Sequence, residues 1–464
     1  MTRLFRPLAV TTAVLGTATL GAMAVTGDPG PNDPAPAPRP AAAGERAGWR
    51  FAVEPKPLSD AITRGLKFLA ERQNPDGGWS QGGGWRSSGG GRQEGANVDD
   101  PSDVGNTCVT LLAFLRAGHT PTAGEYKEHV AKGLRFVCER VEKSDAKDLY
   151  VTDVRNTQLQ SKIGPYVDTF LTTLVLAELK DTAGPDEKRL MASLDKAVSK
   201  VAANQKADGT FAGNGGWAPV LSQGVANKAL ARAKLRGANV SDEVLARVGK
   251  QSADSLNGTA VAAAGPAPSG GLIAGRSGIG GGGMGGGDAG VRLYRESQGV
   301  GGQRDAANAA NAFKKEAEKV LADATAKPAD KEAAKKQVAE ADKLEQLARE
   351  AETKLAVQAR DGAFVRGFGS NGGEEFLSFL NISETLVVKG GAEWTAWDGK
   401  MQQQLPKAQD KDGGWSGHHC ITGRTFCTAS ALLVLLADRT QFPADAIAAA
   451  RAERKPAEKP NDKK

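Results

Sequence analysis

A helix that ends in one fixed turn recurs along this chain, and repetition of that kind admits few folds. Gln73 to Trp79 reads QNPDGGW, and the preceding run from Gly65 reads GLKFLAERQ. Leu66, Phe68 and Leu69 join Leu58 and Ile62 on one apolar face at helical spacing. Asn74-Pro75-Asp76-Gly77-Gly78 then stops the helix with turn residues, since Pro fixes φ and Gly accepts positive φ. The turn lets Trp79 fold back on the helix end while Gln73 hydrogen-bonds loop backbone.

The same design returns in Gln409 to Trp415, QDKDGGW, and in Gln205 to Phe211, QKADGTF. A fourth copy, Gly133 to Val137, repeats the helix without the turn. The structural motif is thus Gln73, Gly77 and Trp79, then Gln205, Gly209 and Phe211, then Gln409, Gly413 and Trp415. Starts at 65, 133, 197 and 401 leave a long last step, room for one further unit plus an insertion. Repetition on this scale means stacked units sharing one core.

These residues resemble the QW-type repeats of terpene cyclases and protein prenyltransferases. With GGEEFLSFL (372–380) and DGGWSGHHCITGRTFCTASALLVLL (412–436), the chain is similar to secreted bacterial proteins with prenyltransferase/squalene oxidase repeats. The resemblance spans residues 55–250 and 362–440. It implies an all-α fold, the squalene-cyclase-like α/α toroid, in which helices ending in the motif form an outer ring around an inner one. It does not imply one chemistry, because the family includes non-enzymatic domains.

The remaining segments set the organisation. Arg3 and Arg6 precede an apolar stretch ending near Ala22-Met23-Ala24, so residues 1–24 read as a secretory signal peptide and predict export, periplasmic or extracellular. An uncleaved membrane anchor is the other reading of that stretch. Residues 25–54 read as a Pro/Ala-rich disordered spacer. Toroid repeats are expected over 55–252 and 362–445. Inner helices are placed at 106–118, 166–180 and 222–236, and outer ones at 124–141, 186–205 and 242–251. Residues 253–361 read as a Gly-rich loop and a charged helical insertion projecting from the body. A segment starting at Val291-Arg292-Leu293-Tyr294 is the candidate inner helix of a diverged unit. Residues 446–464 read as a basic disordered tail.

The net charge of +6 does not point to nucleic acid. The signal carries +2 and the tail from 451 carries +3, leaving +1 for residues 25–450. A near-neutral body lacks an electrostatic footprint for nucleic acid. No later segment is apolar and long enough to span a membrane once the signal is cleaved.

Class II terpene cyclases need an Asp-x-Asp-Asp acid, and this chain has none. Asn97-Val98-Asp99-Asp100 and Asp103 come nearest. Aromatics, at 5%, are also too few to cradle carbocations. His418, His419, Cys420 and Cys427 form the one tight His/Cys cluster, with ligand types that suit Zn²⁺. No other cofactor is expected, since the glycine run at 278–290 lacks the Gly-Lys-Ser/Thr ending of a phosphate loop. The cysteines admit other fates. In an exported chain Cys420 and Cys427 could close a disulfide loop, Cys108 and Cys138 could pair between successive helices, or all could be free thiols.

Glu374 and Glu375 open an apolar helix, where a carboxylate either caps free N–H groups or does acid–base work. His418 or His419 would be the partner, and Arg424 would bind an anionic group. Asp168, a carboxylate among apolar residues, should have a raised pKa. The catalytic candidates are therefore Glu374, Glu375, His418, His419, Arg424 and Asp168. Two functions follow. One is a toroid that holds a ligand in its cavity or a partner protein, and is not a working terpene cyclase. The other is a metal- or carboxylate-dependent enzyme acting on an isoprenoid or a polysaccharide near Glu374, Glu375, His418, His419 and Cys420.

Overall fold

The structure is a computed structural model that describes residues 48–85, 92–93, 100–257, 287–369 and 371–452. The signal, most of the spacer, Asn97 to Asp99, most of the glycine run and the end of the tail lie outside the described residues. The fold is all-α, with fifteen α-helices and four short strands among the described residues.

Strand β1 (Trp49–Phe51) comes first. Helix α1 (Asp60–Ala70) leads through the first turn, β2 (Gly84–Trp85) and β3 (Arg92–Gln93) to α2 (Val104–Arg116). Helix α3 (Lys127–Lys143) leads through the short α4 (Gln158–Ile163) to α5 (Val167–Leu179). Helix α6 (Glu187–Asn204) precedes α7 (Val220–Leu235), and α8 (Asp242–Leu256) precedes α9 (Arg292–Ala322). Helix α10 (Pro328–Gln358) leads through α11 (Gly362–Arg366) to α12 (Gly373–Lys389). Helix α13 (Gly391–Lys407) precedes α14 (Arg424–Leu435), and β4 (Gln441–Pro443) and α15 (Ala444–Arg451) end the described chain.

Two populations of helix alternate in this order. In α2 every residue from Val104 to Phe114 is buried, and in α5 every residue from Val167 to Ala177. A helix buried on all sides belongs at the centre. Helices α1, α3 and α8 bury one face only, as amphipathic helices do. The central helices form a closed cycle. Helix α2 packs on α5, α5 on α7, α7 on α9, α9 on α12, α12 on α14, and α14 on α2. Each is preceded in sequence by its outer partner, so the central helices run parallel. Their N-termini share one end, the mouth, and their C-termini share the floor.

The recurring turns lock the outer layer. Gln73 donates to the carbonyls of Gly77 and His129, each at 2.8 Å, and Trp79 Nε1 donates to the Leu69 carbonyl at 2.7 Å. Gln409 does the same to Gly413 and Ala61, and Trp415 to Leu405. The link from Gln409 to Ala61 joins the last unit to α1. Gly77, Gly209 and Gly413 have φ of +90°, +83° and +92°. A Cβ at Gly413 would stand 2.6 Å from the Arg64 carbonyl oxygen, so only glycine lets this turn touch the next outer helix. Gly65 and Gly133 receive the indoles of Trp415 and Trp79, whose carbons would lie 2.9 Å from an added Cβ. Phe211, lacking an indole N–H, cannot make the tryptophan's bond to the helix end.

Below the mouth, charges cross the centre. Arg116 on α2 donates to Glu384 on α12 at 3.0 Å, and Lys228 on α7 pairs with the other Glu384 oxygen. Asp305 on α9 lies 3.9 Å from Lys228, and Arg232 pairs with Glu178 at 3.4 Å. Neither α2 nor α7 is adjacent to α12 in the cycle, so these side chains meet across its interior. Burial by itself would raise the Glu384 pKa, but Lys228, Arg116 and Arg232 outweigh it and hold the carboxyl at about 2. The antiparallel pair β1–β4 covers the floor, where Arg236 lies over Trp49 at 3.8 Å.

Three segment readings need correction. Residues 49–51 of the expected spacer form β1, because they pair with β4. Residues 444–451, counted partly in the tail, form α15, anchored by Arg451 donating to the Val388 and Ala52 carbonyls. Within 253–361, α9 is buried from Ser297 to Ala309 and occupies a place in the central cycle, with α10 packed outside it. Some of its polar side chains meet polar partners there, whereas Gln298 Nε2, Gln303 Oε1 and Asn308 Oδ1 have none. Arg304 is bound by Glu345 and Glu352. Only the far ends of α9 and α10 project.

Glu384→Gln should cost about 3–5 kcal/mol of stability at pH 7, since it leaves buried cations unpaired. Linkage gives the sign with pH. A folded pKa below the ordinary 4.5 supplies stability that is present above that value and lost as pH falls towards 2. Urea unfolding of wild type and variant at pH 7 and pH 3 should therefore show a gap that narrows at the lower pH. Trp415→Ala should cost about 3–5 kcal/mol at both pH values.

Candidate functional site

The mouth gathers the N-termini of the central helices, where unpaired N–H groups and helix dipoles favour acceptors. Carboxyl groups occupy it. Glu374 and Glu375, in the first turn of α12, are both fully buried. Glu374 Oε2 accepts from the Ile421 amide at 3.1 Å, and its Oε1 has no hydrogen-bond partner. Glu375 Oε1 accepts from Tyr294 Oη at 2.5 Å and the Phe368 amide at 3.0 Å. Its Oε2 lies 3.4 Å from His419 Nε2 without a hydrogen bond. Both ring nitrogens of His419 are likewise buried and unpartnered.

Burial favours the neutral forms of Glu374, His419 and Cys420. It pushes Glu374 up to about 8, overriding the Ile421 amide and the helix N-terminus. It lowers the His419 pKa, against the pull of Glu375. Burial and then Glu374 push the Cys420 thiol up to about 12. One donor atom each from Glu374, His419 and Cys420 lies within 4.8 Å of the others.

The local chain is shaped to bring these groups together. Cys420 has φ +52°, an uncommon conformation for a residue with a side chain. Glycines at 369 and 372 leave room for the imidazole, since a Cβ at either would lie 2.7 Å from it. The loop 417–423 is held from across the mouth by Gln158 on α4. Its Oε1 accepts from the amides of Thr422 at 2.9 Å and Gly423 at 3.2 Å. Gln160, two residues on, donates to Asp168 Oδ2 at 2.5 Å.

Asp168 belongs to a second acidic pair. Burial pushes it up to about 6, against the Gln160 hydrogen bond. Burial and then Asp168 push Asp103, the N-cap of α2, up to about 7. Asp103 accepts from the Asn106 amide at 2.8 Å.

The expected site residues thus divide. Glu374, Glu375, His419 and Cys420 come together. His418 is exposed and its amide donates to the Asn371 carbonyl. Arg424, expected to bind an anionic group, has its charge met within the chain. It is bound by Asp410 at 3.0 Å and Asp412 at 2.6 Å and lies over Phe68, so the recurring turn itself neutralises it. Cys427 is buried behind the loop, where its thiol donates to the Ile421 carbonyl at 3.4 Å. It stands outside the group formed by Glu374, His419 and Cys420. All four cysteines are free thiols, so neither Cys420–Cys427 nor Cys108–Cys138 forms a disulfide. Cys108 faces Thr172 at 3.6 Å inside the core. Sequence reasoning missed Tyr294, Phe368, Gln158 and Gln160 as parts of the site, and Asp103 as an acid with a raised pKa. The signal available for Asp103 was its place just before α2, where the sequence comes near the cyclase acid motif.

No helix among the described residues is long and apolar enough to cross a membrane. No family model matches the chain, and no curated protein or solved structure matches it.

The raised pKa of Asp103 has a measurable sign. A carboxyl that holds its proton more tightly when folded costs stability as pH rises from its ordinary 3.8 towards 7. Each tenfold gain in proton affinity is worth about 1.4 kcal/mol. Asp103→Asn keeps a side chain able to cap α2. It should raise the melting temperature at pH 8 and leave it unchanged at pH 4.

Proposed function

We propose that the chain is an α/α toroid of the squalene-cyclase type, exported, whose mouth carries a zinc-dependent hydrolytic centre. The cyclic packing of parallel central helices and the tryptophan-locked turns support the fold. One observation carries the function. Glu374 Oε1, Glu375 Oε2 and both nitrogens of His419 are buried polar atoms without hydrogen-bond partners, gathered beside the Cys420 thiol. Unmet buried polar atoms are costly, and four around one spot are a place made for a ligand.

The donors fit zinc. Carboxylate, imidazole and thiolate are its usual ligands, and three protein donors are the number found in catalytic sites. Donors about 3.5 Å apart are what bonds of about 2.0–2.3 Å require, so small side-chain rotations suffice. Zinc bound to Glu374, His419 and Cys420 would supply Lewis acidity and activate water. Glu375 is the group placed to move a proton. Tyr294 and Phe368 fix its Oε1, and its Oε2 stays free beside His419. The loop 417–423 and the glycines at 369 and 372 hold the donors in register.

The ionic centre argues against a terpene cyclase or an isoprenoid tunnel. Arg116, Lys228, Asp305 and Glu384 occupy the space an apolar chain would need. Desolvating such groups around a hydrocarbon is unfavourable. The substrate is therefore polar and binds at the mouth.

Dialysis against micromolar zinc followed by elemental analysis should find one zinc per chain. Glu374→Gln and Cys420→Ser should each abolish it, with melting temperatures of the metal-free forms changed little. Glu375→Gln should retain the metal. Affinity should fall as pH is lowered, because protons compete for all three donors. A wild-type protein free of zinc under these conditions, or one whose zinc survives both substitutions, overturns the assignment.

A further inference from the structure

Among the described residues six large hydrophobic side chains are exposed, and three of them are aromatic: Trp85, Trp217 and Phe368. All three border the mouth. Phe368 is 53% exposed and stands edge-on to Trp217, 42% exposed, with ring centroids 5.8 Å apart. On its other side Phe368 meets the His419 ring at 5.1 Å. Its amide binds Glu375. A continuous row of rings therefore runs from solvent to the buried carboxyls. The Trp85 amide donates to Thr422 Oγ1 at 2.7 Å, placing this residue beside the loop 417–423.

Exposed aromatic rings cost free energy unless something covers them, and a cluster beside a polar site marks where a ligand lies. Their setting selects its chemistry. A hydrocarbon would suit the rings but would strand the unpartnered oxygens of Glu374 and Glu375 next to apolar groups. A strongly anionic ligand would have to shed its hydration beside the buried acceptor oxygens of Glu374 and Glu375. A neutral sugar satisfies both surfaces. Its C–H faces cover aromatic rings, and its hydroxyl groups donate to carboxylate oxygens.

We infer that Trp217 and Phe368 form a binding subsite for a neutral pyranose oligosaccharide, whose chain crosses the mouth and presents one unit to Glu375. This inference rests on the mouth being the active site, but not on zinc. Sugar binding and metal binding are therefore measured separately.

The experiment is titration calorimetry, with tryptophan fluorescence as a second readout, of the full chain with cellohexaose and with hexa-N-acetylchitohexaose. Metal-free and zinc-loaded protein are compared. Binding of at least one hexasaccharide is expected to both forms. Trp217→Ala and Phe368→Ala should each weaken it by about tenfold or more. Phe368→Tyr should restore it, and circular dichroism should show all variants folded. Sugar binding without zinc binding would support this inference while removing the metal centre. Three results would overturn it: no binding of either hexasaccharide at millimolar concentration, binding that neither alanine variant weakens, or competition in which farnesol or an unstructured peptide occupies Trp217 and the sugars do not.

Discussion

Glu384 is the carboxylate on which the centre of the molecule depends. It is drawn on from opposite sides by Arg116 and Lys228, which stand on helices that do not adjoin its own in the cycle. Removing such charges from water costs several kcal/mol per ion, and the attraction repays this only when all partners are present. The cluster therefore does little for net stability compared with a hydrocarbon core, but it demands one arrangement of α2, α7 and α12. It also closes the axis. Charge fills the centre, and β1–β4 lies over the floor.

The mouth follows from the order of the chain. Each outer helix turns into a central one, so every central helix starts at the same end. Their dipoles converge there and would ordinarily favour ionised carboxylates. Burial wins at Glu374, Asp103 and Asp168, whose pKa values all rise. The mouth therefore keeps a set of acids that hold their protons tightly. The turns that build this end are stiff because their glycines press backbone on backbone and their tryptophans plug glycine notches in the neighbouring unit.

Much of this is legible in the sequence, and the exceptions have physical causes. The turn copies are marked by Gln, Gly and Trp, and the α12 carboxyls by their place before an apolar run. Gly65 and Gly133 are visible as motif residues, but their purpose needs the partner indole. For Gly133 that indole is Trp79 of the preceding unit, while for Gly65 it is Trp415, brought round from the far end of the chain by closure of the cycle. Arg424 reads as a free cation because Asp410 and Asp412, which meet its charge, lie within a turn that looks purely structural. Helix α9 reads either as part of an insertion or as a diverged inner helix starting at Val291, because a central helix bordered by ion pairs need not be apolar. Phe368 and Trp217 lie in glycine-rich loops without periodicity, so nothing in the sequence joins them to His419.

The most direct test is anomalous diffraction at the zinc absorption edge from crystals grown with zinc. The account predicts one strong peak among Glu374, His419 and Cys420, with Glu375 Oε2 beside it and the row Phe368–Trp217 leading outward. A peak elsewhere, or no peak at all, would contradict it.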